Sequence, residues 1–141
     1  KRNFYHNCID ADMRDGKSGG GLCMSVPGVD ESRILVNYDG SMDQLSTIAH
    51  ELGHAYHNDC QVGKTELQTI TPMTLAETAS IMCETIVTHA AIKAAKSDAE
   101  KLTLLESQLN NASQVVVDIS SRFLCKKEVF QLRAKSELSA D

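Results

Sequence analysis

Two histidines and a glutamate within residues 47–57 have the types and spacing to bind a metal ion and to move a proton. On a helix, His50 and His54 lie one turn apart and project from the same face. Two imidazoles placed there can reach one zinc ion at roughly 2.0–2.1 Å each. Glu51 is rotated about 100° from His50, so it flanks the ion instead of filling a coordination position. The spacing therefore predicts a zinc site with Glu51 as the general base for a zinc-activated water.

The order His-Glu-x-x-His is the zinc-peptidase signature, and the residues around it predict the helix that this chemistry needs. Apolar side chains recur there at intervals of three and four, as in a buried helical stripe. These are Leu45, Ile48, Ala49, Leu52, Ala55 and Tyr56. Ser41 with Gln44 fits a capping box that begins the helix after the turn signal at residues 39–40. One side of the helix is thus expected to face the core, and another to carry the histidines.

Catalytic zinc usually takes three protein ligands, so the chain must supply a third. Glu77 is the main candidate, because a later helix could bring it face to face with the first. Glu77 could instead belong to a capping box that starts at Thr74. Glu84 is the alternative ligand, although it is expected behind the ligands, where it would orient a histidine.

The other histidines and cysteines give weaker signals. His57 lies one turn beyond His54 and could bind substrate or donate a hydrogen bond that supports a zinc ligand. It could equally be a partly exposed helix-end residue. His6 and His89 have no partner in the sequence and are predicted to be surface or core residues. Cys60 follows closely enough to suggest a ligand, but a helix would rotate it away from the histidine pair.

Composition limits the class of protein. The chain has 141 residues, enough for one domain with a modest core. A net charge of −5 without a basic block argues against a nucleic-acid partner. No apolar run approaches the roughly 20 residues that span a membrane, and no signal peptide is expected. Five scattered cysteines favour a reducing, cytoplasmic setting over a disulfide framework. Because the first residue is not Met, we expect the natural N-terminus to lie upstream.

A small hairpin is predicted before the motif helix. Residues 22–26 and 34–38 are apolar, β-branched strand candidates, and residues 27–28 are a Pro-Gly turn signal. The edge of this hairpin would border the metal helix and could hold an extended peptide by main-chain hydrogen bonds. It could equally be only a packing platform. The Gly-rich residues 17–21 predict a flexible connection, not a phosphate-binding loop.

Two further helices are predicted downstream. Residues 71–72 predict the start of one, with Pro at its first position and an end near residues 93–95. Ser97 and Glu100 fit the capping box of a third, long helix, which residues 110–111 could kink. The fold class is therefore mainly α, a zinc-peptidase helical core with a small antiparallel β-hairpin or sheet near the N-terminus.

Residues 50–57 and 71–84 together resemble oligoendopeptidase F of the M3 family. That family has His-Glu-x-Gly-His-x-x-His and later a helix with two glutamates seven positions apart, the first of which is its third zinc ligand. The resemblance extends over nearly the whole chain. It implies one Zn²⁺ ion and short peptides as substrates. The zinc ligands that it implies are His50, His54 and Glu77, with Glu51 as the general base.

One departure from that family bears on activity. Its members are several times longer, and their C-terminal region supplies tyrosines, and usually a histidine, that bind substrate and stabilise the oxyanion. The tyrosines of this chain are Tyr5, Tyr38 and Tyr56, none of them in such a segment. We therefore expect residues 1–141 to be one domain, a partial catalytic domain that needs the remainder of a parent peptidase. Alone, it should be weakly active or inactive.

Two other function classes compete with a zinc oligopeptidase. In a non-catalytic structural or interaction domain, zinc would only brace two helices. A structural zinc site usually closes all four positions with Cys or His, and it has no need of an acid such as Glu51 beside the metal. A helical interaction module with an accidental motif would bind no stoichiometric zinc.

Overall fold

The computed structural model describes residues 8–139, which form a short sheet followed by helices. The strands are β1 (Ile9–Asp10), β2 (Gly21–Val26) and β3 (Glu31–Val36). The α-helices are α1 (Met42–Gln61), α2 (Glu66–Thr69), α3 (Thr78–Ala94), α4 (Asp98–Ser113) and α5 (Ser120–Arg133). Short 3-10 turns lie at Pro27–Val29 and Met73–Leu75, and a π-helical segment, Gln114–Ile119, joins α4 to α5. The prediction of a mainly α fold with a small N-terminal sheet is confirmed.

The sheet has the strand order β1-β3-β2. β2 and β3 form the predicted antiparallel hairpin, with Gly21 opposite Val36 and Ser25 opposite Ser32. β1 pairs with β3 in parallel, so the sheet is mixed and not purely antiparallel. Alternate residues of β3, from Ser32 through Ile34 to Val36, are buried. That face of the hairpin packs against α1 and leaves β2 at the edge of the sheet.

The core of this part of the chain is small and lies between the sheet and α1. Its buried centre is Ile34, Val36 and Ala55. Partly buried side chains pack around that centre: Ile9, Ala11, Cys23, Ile48 and Leu52. The predicted stripe of α1 is only partly correct, because Leu45 and Tyr56 are 36% and 58% exposed. They lie at the margins of the stripe, beyond the width that the narrow sheet covers.

Lys17 anchors the Gly-rich stretch that was predicted to be a flexible connection. Its side chain is only 3% exposed. The ammonium lies 2.7 Å from the Val36 carbonyl oxygen, 2.8 Å from that of Asp12 and 3.0 Å from that of Asp10. It also pairs with the Asp10 carboxylate at 3.1 Å. One buried cation thus joins the end of β1 to the end of β3.

Helix α3 begins at Thr78, later than residues 71–72, where the sequence predicted its start. The Leu75 amide donates to the Pro72 carbonyl at 2.9 Å and closes a 3-10 turn, which does not continue as an α-helix. The first α-helical bond is from the Ile81 amide to the Glu77 carbonyl at 3.1 Å. Thr74 therefore lies within the 3-10 turn, and the capping box that could have occupied Glu77 does not start there.

The chain divides into two compact units at the boundary between Ala91 and Ile92. The second unit is mainly the long run of α4, the π segment and α5, and its interruption lies at Gln114–Ile119, beyond the predicted kink at residues 110–111. Its apolar side chains are largely exposed, as at Leu109 (69%) and Phe130 (75%). None of the helices within residues 8–139 combines the length and the apolar composition that a membrane span requires.

Replacing Lys17 with Met should destabilise the fold, because three carbonyl oxygens and one carboxylate lose a buried donor. We expect a loss of about 2–4 kcal/mol in the free energy of unfolding, measured by urea denaturation. Lys64→Met is the matched control, since Lys64 is exposed. A loss for the Lys17 variant no larger than that of the control would contradict this account.

Candidate metal centre

Three potential metal ligands converge between α1 and the start of α3. His50 Nε2 and His54 Nε2 are 3.1 Å apart. Glu77 Oε2 lies 3.1 Å from His50 Nε2 and 3.2 Å from His54 Nε2. Ligands bound tetrahedrally at roughly 2.0–2.1 Å from zinc stand about 3.3 Å apart. The three atoms therefore form a triangle of the size that one zinc ion requires, and the fourth position remains for a water or substrate.

Hydrogen bonding fixes which nitrogen of His50 faces this centre. His50 Nδ1 lies 2.5 Å from Glu84 Oε1. An ionised carboxylate can only accept, so Nδ1 donates to Glu84 and Nε2 is the ring nitrogen that faces the centre. Ser46 Oγ in turn donates to Glu84 Oε2 at 3.2 Å. Glu84 thus lies behind His50, outside the group of converging metal-ligand atoms.

Glu77 reaches the centre from the residue just before α3, and its side chain is 55% exposed. The buried Ser80 hydroxyl lies 2.8 Å from Glu77 Oε2, to which it can donate. This hydrogen bond is the main reason why the pKa of Glu77 is below its usual value, and His54 and His50 lower it further. The anionic form of the carboxylate is therefore favoured beside two imidazole nitrogens, a set of atoms that could together hold a divalent cation.

At Gly53, inside the motif, the backbone of α1 lies close to the first turn of α3. A Cβ added at Gly53 would lie 2.6 Å from both Ala79 O and Ser80 Cα. These are backbone atoms and cannot swing aside as the end of a long side chain can. The absence of a side chain at Gly53 therefore lets α3 approach α1 closely enough for Glu77 to meet the imidazoles. A glycine in a helix interior is unfavourable by about 1 kcal/mol relative to Ala, a signal in the sequence that could have pointed to this contact.

Glu51 lies on the side of α1 that faces the sheet edge and is only 6% exposed. A Cβ at Gly21, the first residue of β2, would lie 2.5 Å from Glu51 Oε1. Burial raises the pKa of Glu51, while the neighbouring His50 and His54 act in the opposite direction. Glu51 is thus a buried carboxyl group on the motif helix that is not one of the three converging residues.

The remaining candidates lie elsewhere. His57 Nε2 is 3.2 Å from Gln61 Nε2, and His57 lines an apolar cavity of about 460 Å³ instead of joining the donor group. Cys60 is exposed, and His89 lies within α3 outside that group. His6 falls outside the described residues.

Known proteins resemble the chain over most of its length. The sequence model of peptidase family M3 matches residues 2–131. Chromosomal oligoendopeptidase F of Lactococcus lactis subsp. cremoris is 27% identical over 139 residues, 98% of this chain and 23% of that protein. An oligoendopeptidase F homolog of Mycoplasma genitalium is 32% identical over 114 residues, 79% of this chain and 19% of its own. A crystal structure from Chlamydophila abortus shares 27% identity at a TM-score of 0.69, over 75% of this chain and 18% of its own. The chain thus spans less than a quarter of each of these proteins.

Gly53→Ala should separate α1 from α3, although the same change in an exposed helix is stabilising. We expect a loss of about 1–3 kcal/mol in the free energy of unfolding from overpacking, together with weaker Zn²⁺ binding in a titration. Gly28→Ala is the control, because a Cβ at Gly28 would meet nothing within 4 Å. Unchanged or increased stability of the Gly53 variant would show that the close approach does not constrain the site.

Proposed function

Because the chain belongs to peptidase family M3, we propose that it carries the zinc centre of an oligopeptidase that hydrolyses peptide bonds in short peptides. The observation that carries this proposal is the convergence of His50, His54 and Glu77 on one point, with the tautomer of His50 set by Glu84. The oligoendopeptidase names of the relatives support the choice of substrate class.

One Zn²⁺ ion fits the donor set. Two neutral imidazoles and one carboxylate, with a fourth position open, are a ligand set of catalytic zinc sites. When bound there, the ion would lower the pKa of a water molecule and polarise the carbonyl of the scissile peptide bond. Glu84 would keep the Nε2 lone pair of His50 directed at the ion and make that imidazole a stronger ligand.

In this proposal, Glu51 is the residue that moves the proton. It would accept a proton from the attacking water and later deliver it to the nitrogen of the leaving amine. Its burial supports this role, because a carboxylate with a raised pKa holds an abstracted proton more readily than a solvated one. His57 is a further candidate for supporting the site or the substrate through its contact with Gln61.

The edge of β2 is the proposed path for an extended substrate. In the described part of the sheet, β2 pairs only with β3, so its other edge has main-chain groups free to bind a peptide. Gly21, at the start of this edge, lies against Glu51. Because Gly21 has no side chain, Glu51 can lie directly against the start of this edge. A peptide paired along β2 would therefore pass close to the proposed general base, which favours this path over a mere packing platform.

We further propose that residues 1–141 form a partial catalytic domain and that the rest of a parent chain is its partner. The exposed apolar side chains of the second unit support this, since larger apolar patches usually mark contact surfaces. That partner would also supply the groups that stabilise the oxyanion. The odd number and wide scatter of the cysteines favour the cytoplasm as its location.

Metal analysis should separate the proposed roles of two glutamates. Glu51→Gln should bind Zn²⁺ one-to-one as the unaltered chain does, because Glu51 is not a ligand. Glu77→Gln should weaken binding by more than the roughly 10–100-fold that loss of a supporting residue costs. Glu66→Gln, an exposed residue at the start of α2, is the matched control. Equal Zn²⁺ affinity of the Glu77 variant and the control would refute the ligand assignment.

The zinc-loaded chain alone should cleave a short quenched fluorescent peptide weakly or not at all, because it lacks the proposed oxyanion groups. Any residual turnover should disappear in Glu51→Gln. Turnover close to that of a full-length relative would refute the proposed dependence on the rest of a parent chain. Turnover that survives in Glu51→Gln would instead refute the proposed role of Glu51 as the general base.

A further inference from the structure

The amide of Gln61, the last residue of α1, joins this helix to the connection that follows it. Its Nε2 lies 3.2 Å from the Thr69 carbonyl oxygen and 3.2 Å from Thr71 Oγ1. It is also 3.2 Å from His57 Nε2, one turn back on α1. Because a carbonyl oxygen can only accept, the group that faces Thr69 must be the amide nitrogen. Gln61 therefore acts here as a donor.

The connection between α1 and the 3-10 turn at Met73–Leu75 has few packing contacts. Beyond Gln61 the chain reverses direction, with Gly63 at φ +81° and the Lys64 amide donating to the Gln61 carbonyl at 2.9 Å. The short helix α2 follows, and none of its residues is buried; Leu67 is 83% exposed. The connection is therefore not pressed against the core by apolar contacts, so the polar contacts of Gln61 have a large part in setting its course.

The position of Thr71 determines where the short segment that carries Glu77, the third potential metal ligand, begins. Pro72, with φ restricted by its ring, follows at once, and the 3-10 turn Met73–Leu75 then leads directly to Glu77. This stretch is short and has few free torsions. A displacement of Thr71 would therefore be carried through to the Glu77 carboxylate, whose distances to the imidazoles are only 3.1 and 3.2 Å.

We propose that Gln61 is a positioning residue for the metal centre: by tying Thr69 and Thr71 to the end of α1, it sets the place from which Glu77 reaches His50 and His54. This inference rests on the proposed zinc function. Gln61 and Thr71 also line both the apolar cavity of about 460 Å³ and a polar cavity of about 530 Å³. Gln61 and Thr71 therefore lie where the two cavities meet, so a change at Gln61 would alter the lining of both.

The test compares the same substitution at two glutamines of this connection. Gln61→Glu keeps the shape of the side chain but replaces the donating nitrogen with an acceptor. Gln68→Glu adds the same charge nearby, but Gln68 uses its oxygen, which accepts from the Thr65 amide at 3.0 Å, so this contact survives. Each variant is titrated with Co²⁺, whose visible absorption spectrum reports the ligands around the ion, and Glu77→Gln serves as the reference for loss of the carboxylate.

We expect Gln61→Glu to bind Co²⁺ about 10–100-fold more weakly and its spectrum to move toward that of Glu77→Gln, whereas Gln68→Glu matches the unaltered chain. An unchanged Co²⁺ spectrum in Gln61→Glu would overturn the proposal, even if thermal stability fell. If Gln61→Glu fails to fold by circular dichroism, Thr71→Val, which removes one acceptor of the tie, must shift the spectrum in the same direction. Absence of stoichiometric Co²⁺ and Zn²⁺ binding by the unaltered chain would instead overturn the proposed zinc function, and this inference with it.

Discussion

The close approach of α3 to α1 at Gly53 is the constraint on which the metal centre depends. The spacing of His50 and His54 is set by one helix, whatever packs around it. The position of the third potential ligand is not set in this way, because Glu77 belongs to another segment. The distance of that segment from α1 is limited by the backbone contact at Gly53. A side chain there would hold the carboxylate away from both imidazoles. The convergence of the two imidazoles and the carboxylate thus depends on the absence of a methyl group at Gly53.

Three carboxylates surround this centre, and each lies in a different environment. Glu77 is partly exposed and receives the Ser80 hydroxyl, which favours its anion. Glu51 is buried against Gly21, and burial favours its protonated form. Glu84 is engaged by His50 and Ser46 and has little freedom to turn toward the centre. Residues of nearly identical chemistry are therefore held in different environments, which would let each take a separate role in the proposed site.

The sequence was most informative where the structure is local. The motif helix, its Ser41 cap and the hairpin follow from periodicity and turn chemistry, which depend on neighbouring residues. The prediction of Glu77 needed its place on a predicted later helix together with a family resemblance. The pairing of distant segments leaves no periodic pattern in the sequence. The contacts of Gln61 and Lys17 could not be predicted at all, and for Gly53 the sequence gives only an unfavourable glycine in a helix interior, not the segment that it contacts. They are set by which backbones and carbonyl groups meet after folding, and the late start of α3 at Thr78 has the same origin.

The exposed connection between α1 and α3 also determines how an ion would hold the chain together. His54 precedes this connection and Glu77 follows it, so an ion that binds both closes the intervening residues into a loop, much as a disulfide would. The residues of α2 within that loop are accessible to a protease. A chain cut there would remain cross-linked through the ion, so its backbone could be broken without releasing either of the segments that carry the ligands.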